Sequence, residues 1–424
     1  MTEPFITYLT VFKSRLGLAN VLLDLTGLGH QPSQALLRRL RQVVEQKEEL
    51  ALDDTANYAV FQYLADKRLI SWEPRSGGRY RGFTLARADS RWKAAGRDRS
   101  ELASLPVFDI DIWMSNAGLP STIGAPTPDN VEEVLEFGFQ LLLLSRAKNT
   151  WTSAGHMTKQ LRHAFARQIG DVQNPFLLGL EAPALLRQIV QTDGLILREL
   201  LREVIDMGET VTRDAVAERF TVVVSNAIHA MHDLRVAPPD ARKARAFAEL
   251  IRKTAQRRGT MSGAPGVLEH RVSPRLEWLT DLGYLSKRGL AKNGFEYRVE
   301  SPVRDLFNTL DANFGIETWA DSVALAQWSR HPGWASLRSA VALTEGIERF
   351  RSAYRMLRRP IGPASLREVA FVSALLSNKP LGFEQALEGL INFAKSTEGV
   401  SLSGGRYRRS PENIYMTDQA LGVA

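Results

Sequence analysis

The hexapeptide Ser76-Gly77-Gly78-Arg79-Tyr80-Arg81 recurs letter for letter as Ser403-Gly404-Gly405-Arg406-Tyr407-Arg408 in a chain of 424 residues. Each copy follows helical periodicity and stands where a strand pattern turns back on itself. Leu69 to Pro74 reads as a short strand, Arg75 to Gly78 as a turn, and the alternating run Arg79 to Leu85 as the return strand. The paired glycines supply the positive backbone angles that a tight hairpin needs. Alternation places the two arginines of each copy on one face and the tyrosine on the other. Such a pair of guanidinium groups suits DNA phosphates or a narrow minor groove. Arg75 adds charge beside the first tip and Arg409 beside the second.

Elsewhere the helical period dominates. Leu36, Leu37, Leu40, Val43 and Val44 share one face, and a second helix beginning near Asp53 or Asp54 turns Val60, Tyr63 and Leu64 inward. Residues 101–137 carry seven acidic residues and no Lys or Arg, with Gly and Pro scattered through the middle. They read as a linker, or as an acidic arm that competes with DNA for a basic surface. Residues 129–206 read as mainly helical, including the apolar run from Leu135 to Ser145.

A helix-turn-helix pattern follows. Thr210 or Thr212 caps a helix from Arg213 to Arg219, a turn falls at 220, and Val223, Ala227, Ile228 and Met231 line a second helix. The expected helix 241–258 sets seven cations against the single acid Glu249. Leu268 to Leu282 then leads into a hairpin formed by Tyr284 to Gly289 and Gly294 to Val299. A third succession closes the chain. Ile347, Phe350, Tyr354 and Leu357 line one helix, Leu366, Val369, Ala370 and Leu376 the next, and Phe383, Ala386, Leu387, Leu390 and Ile391 a third. Val400 to Leu402 and Asn413 to Thr417 form its hairpin.

Helices running into two-stranded hairpins over about 30–90, 195–300 and 345–420 resemble multi-domain winged-helix (helix-turn-helix) DNA-binding proteins. The fold class expected is mainly α with small β-hairpin wings, as tandem winged-helix domains joined by helical connectors. The expected domains are 1–100, a winged helix; 101–190, an acidic linker and helical connector; 191–300, a helix-turn-helix unit with the basic helix; and 301–424, a connector and a C-terminal winged helix. The resemblance implies that the last helix before each wing enters the major groove, with the wing on phosphates or the minor groove. It marks Thr221, Ser225 and Asn226 in the helix after the expected turn, and Arg271 and Arg275 in the next unit. The wings contribute Lys287 and Arg288, together with Arg75, Arg79, Arg81, Arg406, Arg408 and Arg409.

The net charge of +7 favours polyanionic partners, but only modestly in a chain of this length. The absence of cysteine excludes disulfide scaffolds, thiol nucleophiles and zinc fingers, and fits a cytoplasmic protein. The start has no basic region before an apolar core and no run approaches a membrane span, so neither a secretory signal nor a membrane partner is expected. There is no P-loop, no GxSxG elbow and no HExxH. His229 and His232, three residues apart, lack further metal ligands beyond Asp233, and no cofactor is expected. Asp24 with Glu45-Gln46-Lys47 has a nuclease-like spacing on segments that read as helix. Asp109 and Asp111 alternate on a strand pattern without a following lysine.

Two functions follow. The first is a non-enzymatic double-stranded DNA-binding protein that sums weak contacts along one duplex. The second is an accessory subunit of a larger prokaryotic DNA-processing or phage-defence complex, with winged helices as protein–protein modules. Trp113, Trp319 and Trp328 would then be partner surfaces.

Overall fold

The computed structural model describes residues 178–233, 267–290, 294–341, 344–359, 362–404 and 411–422, most of 143–169 and 245–253, and short stretches at 16, 31–32, 73–75, 79–81 and 141. Among these the chain is mostly helical, with small antiparallel sheets. It divides into two compact units. The first is residues 1–155, 172–178 and 192–304, and the second is 156–171, 179–191 and 305–424. Residues 156–171 and 179–191, from the stretch read as linker and connector, thus cluster with the C-terminal segment.

In the first unit, β1 (Gln31–Pro32), β2 (Glu73–Arg75) and β3 (Arg79–Arg81) precede a hairpin of β4 (Leu144–Ala147) and β5 (Thr150–Ser153). That hairpin corrects the expectation of helix running through this part of the chain. Thr150, Trp151 and Thr152 favour strand, and Lys148-Asn149 joins the two runs. Beyond α1 (His156–Ile169), the 26-residue α2 (Ala182–Met207) carries an apolar stripe from Leu185 to Val204, and the division between the units falls within it.

After α2 come β6 (Thr210–Thr212), α3 (Arg213–Asp233), α4 (Val267–Asp281), β7 (Leu285–Leu290) and β8 (Gly294–Val299). The three strands form one antiparallel sheet in the order β6-β8-β7. Thr212 caps α3, its hydroxyl accepting the Ala215 amide at 3.2 Å. The turn expected at 220 does not exist, because α3 is one continuous helix. Val216, Phe220, Val223, Val224, Ala227 and Met231 form a single buried stripe with no Gly or Pro to break it. The β-branched run Thr221 to Val224 has weak helix propensity, and packing of this stripe overrides it.

The second unit holds α1, the first turns of α2, and then α5 (Pro302–Ala312, from Asp305), α6 (Trp319–Arg330) and α7 (Ala335–Ala340). These lead into α8 (Glu348–Leu357), β9 (Ala364–Ser365), α9 (Leu366–Leu375), α10 (Phe383–Ser396), β10 (Val400–Gly404) and β11 (Pro411–Met416). Their sheet runs β10-β11-β9. Helix, strand, helix, helix and hairpin therefore occur in the same order in both units. In both, the last strand lies between the other two.

The core of the second unit follows the helical spacing closely. Phe350, Tyr354 and Leu357 are buried, and Phe350 stacks on Phe393 with ring centroids 5.6 Å apart. Ile347, placed by spacing in the same stripe, is instead half exposed at the start of α8. Ser365 caps α9 by accepting the Glu368 amide. Gly399 turns into the hairpin at φ +79°, where an added Cβ would strike the Thr417 hydroxyl, so only glycine fits.

His156, on α1, is buried, and its Nε2 meets the Leu357 carbonyl at 3.1 Å. Burial holds its pKa below the ordinary value of 6.5 despite that bond, and Arg359 and Lys159 disfavour the cation further. The unfolded chain therefore takes up a proton that the folded chain refuses. Stability conferred by the neutral ring is complete above about pH 6.5 and falls as pH drops through the window below it. Urea titrations at pH 7.5 and 5.5 should show the parent losing more stability than His156→Gln, which keeps a donor for Leu357. Equal losses would mean that this ring stays solvated.

Candidate nucleic-acid interface

Helix α4 precedes the β7–β8 hairpin, the position from which a base-reading helix was expected. Every residue from Arg271 to Leu279 on it is buried. Arg275 is fully enclosed and forms a bidentate pair with Asp193 of α2, Nε to Oδ2 at 2.6 Å and the second terminal nitrogen to Oδ1 at 2.7 Å. Its remaining terminal nitrogen donates to the Arg271 carbonyl at 2.7 Å, and the guanidinium lies over the Phe220 ring at 5.5 Å. Arg271 and Arg275, marked for DNA contact, are 6% and 0% exposed. Both are interior residues, and the charge of Arg275 is neutralised by a carboxylate 82 positions away.

Lys287 is likewise engaged within the unit. Its side chain is 6% exposed, and its ammonium group donates to Glu277 Oε1 at 2.8 Å, where the Tyr297 hydroxyl also donates at 2.5 Å. The lysine and the tyrosine together tie the hairpin to α4, since Glu277 belongs to that helix. Arg288 pairs in register with Glu296 across the hairpin. On α3, Ser225 is exposed, while Thr221 and Asn226 are half-buried. They lie in the middle of a continuous helix, not at the start of one. The basic stretch is helical at 245–246 and 248–253, and Arg245, Arg252 and Lys253 are exposed. Glu249 binds Arg252 through two hydrogen bonds of 2.9 and 2.7 Å, and Lys253 lies 3.6 Å from it. The Arg252 bonds hold the Glu249 carboxyl below the usual carboxylate range.

In the second unit, α10 holds the equivalent place before the β10–β11 hairpin. Phe383, Ala386, Leu390, Phe393 and Ala394 are buried, and the exposed side presents Glu384, Gln385, Glu388, Asn392 and Lys395. Its N-terminal end is already engaged. The Thr318 hydroxyl donates to Glu384 Oε1 at 2.6 Å, and the Arg367 guanidinium lies 5.3 Å over the Phe383 ring. Arg367 also donates to Asp321 of α6, which accepts Arg187 as well, both at 2.6 Å. Trp328 does not serve as a free surface. It is 5% exposed, and its indole N–H donates to the Leu375 carbonyl at 3.1 Å. Trp319 is half-buried, with its N–H on the Leu310 carbonyl. Trp113 lies outside the described residues.

The first copy of the repeated motif ends on β3, and the second begins on β10. In the first copy Arg75 pairs with Arg79, Pro74 with Tyr80 and Glu73 with Arg81. In the second, Gly404 ends β10 and Pro411 begins β11, while Arg406, Arg408 and Arg409 lie in the connection, outside the described residues. The expected helices at 36–44 and 53–64, the pair Asp109 and Asp111, and Asp24 with Glu45-Gln46-Lys47 also lie outside them. Among the described residues no group of three His, Asp or Glu side chains could hold a metal, and no helix is long and apolar enough to cross a membrane. Comparison with protein-family models, with curated proteins and with solved structures finds no match to this chain.

Sequence reasoning missed the partners that occupy the expected contact residues. Asp193 and Glu277 carry no local pattern that marks them. The short strands β6 and β9 were also missed, although Thr210-Val211-Thr212 has a strand former's composition.

Proposed function

We propose that the chain is a tandem winged-helix protein that grips duplex DNA through its basic hairpins and acts by binding, not by chemistry. The observation that carries the reading is the recurrence of one topology. Helix, strand, helix, helix and hairpin appear in α2 to β8 and again in α8 to β11, with the last strand central in each sheet. The repeated Arg-Tyr-Arg falls on the hairpin of the second of these and on the β2–β3 hairpin. Arg245, Arg252 and Lys253 add exposed cations.

The helices before the two described wings do not support reading of the major groove in the usual way. Helix α4 is buried from Arg271 to Leu279, and α10 has its N-terminal end tied to Thr318 and shows carboxylates outward. Such docking normally uses the N-terminal residues of that helix. Contact through hairpins alone is phosphate-based, so affinity should depend little on base sequence and strongly on salt. A cytoplasmic location accompanies this reading.

The burial of α4 favours a second reading. The third helices serve protein packing, and the chain is an assembly subunit of a larger DNA-processing complex. One experiment separates the two. Anisotropy binding to a random-sequence duplex is measured across a salt series for the parent and for Arg79→Ala/Arg81→Ala/Arg406→Ala/Arg408→Ala. The expected result is a log–log salt slope shallower by about 3–4 in the variant, from roughly 0.9 per lost phosphate contact. No binding by the parent, or equal slopes, would favour the assembly subunit.

A further inference from the structure

The second unit contains a cavity of about 400 Å³ between α6, α7 and the segment that follows α9. It shares Leu325, Ser329, Pro380 and Leu381 with a neighbouring cavity of about 660 Å³. The two form one cleft with different ends. Both sizes fall in the range that takes small molecules.

The smaller end is cationic. Arg338 and Lys379 line it, and none of the side chains lining it is a carboxylate. Neither cation makes an ion pair among the described residues, whereas Arg187, Arg351, Arg355, Arg358 and Arg367 of the same unit each meet an acid. Arg338 is half-buried, with one terminal nitrogen on the Trp328 and His331 carbonyls at the end of α6. Its Nε and second terminal nitrogen make no hydrogen bond there. Burial pulls its pKa below the ordinary arginine value.

The hydroxyls divide clearly. Ser329 and Ser339 donate to the Ala326 and Ala335 carbonyls of their own helices. Ser377 instead accepts the Lys379 amide at 3.4 Å, so its proton remains to be donated. The smaller end therefore offers a guanidinium edge, an ammonium group and a hydroxyl, all donors, from different chain positions. That set matches the three oxygens of a phosphate. The larger end is close to charge-balanced. Arg330 faces Asp305 at 3.3 Å, and Glu384 is bonded by Thr318. Asn308 and Asn313 and the amide nitrogen of Gln385 supply uncharged hydrogen-bonding groups over an apolar floor that includes Leu325 and Phe383.

We propose that this cleft binds a small phosphorylated molecule, its phosphate held by Arg338, Lys379 and the Ser377 hydroxyl and its uncharged polar body lying along the amide-lined end. A nucleoside monophosphate has the required chemistry. The site is separate from the hairpins and stands whether or not they bind DNA.

The test uses the full chain, with adenosine monophosphate, adenosine and glutarate as probes at matched ionic strength, read by calorimetric titration and thermal unfolding. Adenosine monophosphate should bind and raise Tm, and adenosine and glutarate should do so at least tenfold more weakly. Lys379→Ala, at an exposed position, should leave the unliganded Tm unchanged and weaken the nucleotide at least tenfold. Asn308→Ala should weaken the nucleotide by a smaller factor. Absence of binding at 10 mM, about ten-thousandfold above a Kd of 1 μM, overturns the proposal. So does an undiminished Tm rise in Lys379→Ala, or glutarate binding as well as the nucleotide.

Discussion

Asp193→Ala should lower the unfolding free energy by about 3–5 kcal/mol, because it removes the carboxylate that is paired bidentately with the buried guanidinium of Arg275. Both side chains are inaccessible to solvent, and the pair is bidentate at 2.6 and 2.7 Å. The reverse replacement, Arg275→Met, takes the bidentate donor from the buried carboxylate and should cost a similar amount. Asp193→Leu with Arg275→Met removes both charges and should recover most of the loss, since an apolar pair of similar volume is often neutral or better. Urea denaturation followed by circular dichroism measures all three. If Asp193→Ala unfolds at the parental midpoint, the pair does not hold α4 inside the unit. The case for α4 as a DNA-reading helix would then reopen.

Asp321→Ala should be the second most costly change, at about 3 kcal/mol, the lower end of the range for a broken buried ion pair. Asp321 is 1% exposed on α6 and accepts Arg187 on one oxygen and Arg367 on the other. The two arginines would not suffer equally. Arg367 is 39% exposed and has Glu317 at 3.5 Å as a second ion-pair partner, whereas Arg187, 13% exposed, has the Phe371 face at 5.6 Å and the longer-range charge of Glu368, with no second ion pair among the described residues. Most of the loss should therefore come from Arg187. In a double-mutant cycle, Arg187→Leu should cost much less in the Asp321→Ala background than in the parent, while Arg367→Leu should cost nearly the same in both. Equal behaviour of the two arginines would contradict the asymmetry of their surroundings.

These two sites show what the sequence hides. The helical stripes at 347–357, 366–376 and 383–391 and both C-terminal strands were legible because each depends on a local period of 3.6 or 2. Thr212 was legible as a cap because caps are local. The fate of the cations was not. Arg275, Lys287 and Arg271 sit in polar-looking positions of a helix and a hairpin, and nothing nearby announces that Asp193 or Glu277 will meet them. Long-range pairing fixes whether a basic residue is a contact or a strut. The turn at 220 failed for a related reason. Thr221 to Val224 looks like a break by propensity alone, and the burial of Phe220, Val223 and Val224 on one face decides for a helix. The basic hairpins are the part of the candidate site that sequence alone defined.

The second unit is assembled from three separated pieces of chain, and this bears on how the protein is made. Residues 156–171 and 179–191 leave the ribosome before the whole of 192–304 has been synthesised, and only then does 305–424 follow. At roughly 5–20 residues per second, that interval lasts on the order of 10 s. During it Met157, Leu161, Leu185, Leu186 and Ile189 have no completed core to enter. Arg187 waits for Asp321 and His156 for Leu357. The nascent chain thus carries an open apolar stripe for longer than a continuous domain would. Expression at lower temperature or slower initiation, which reduces encounters between such chains, should raise the yield of folded protein.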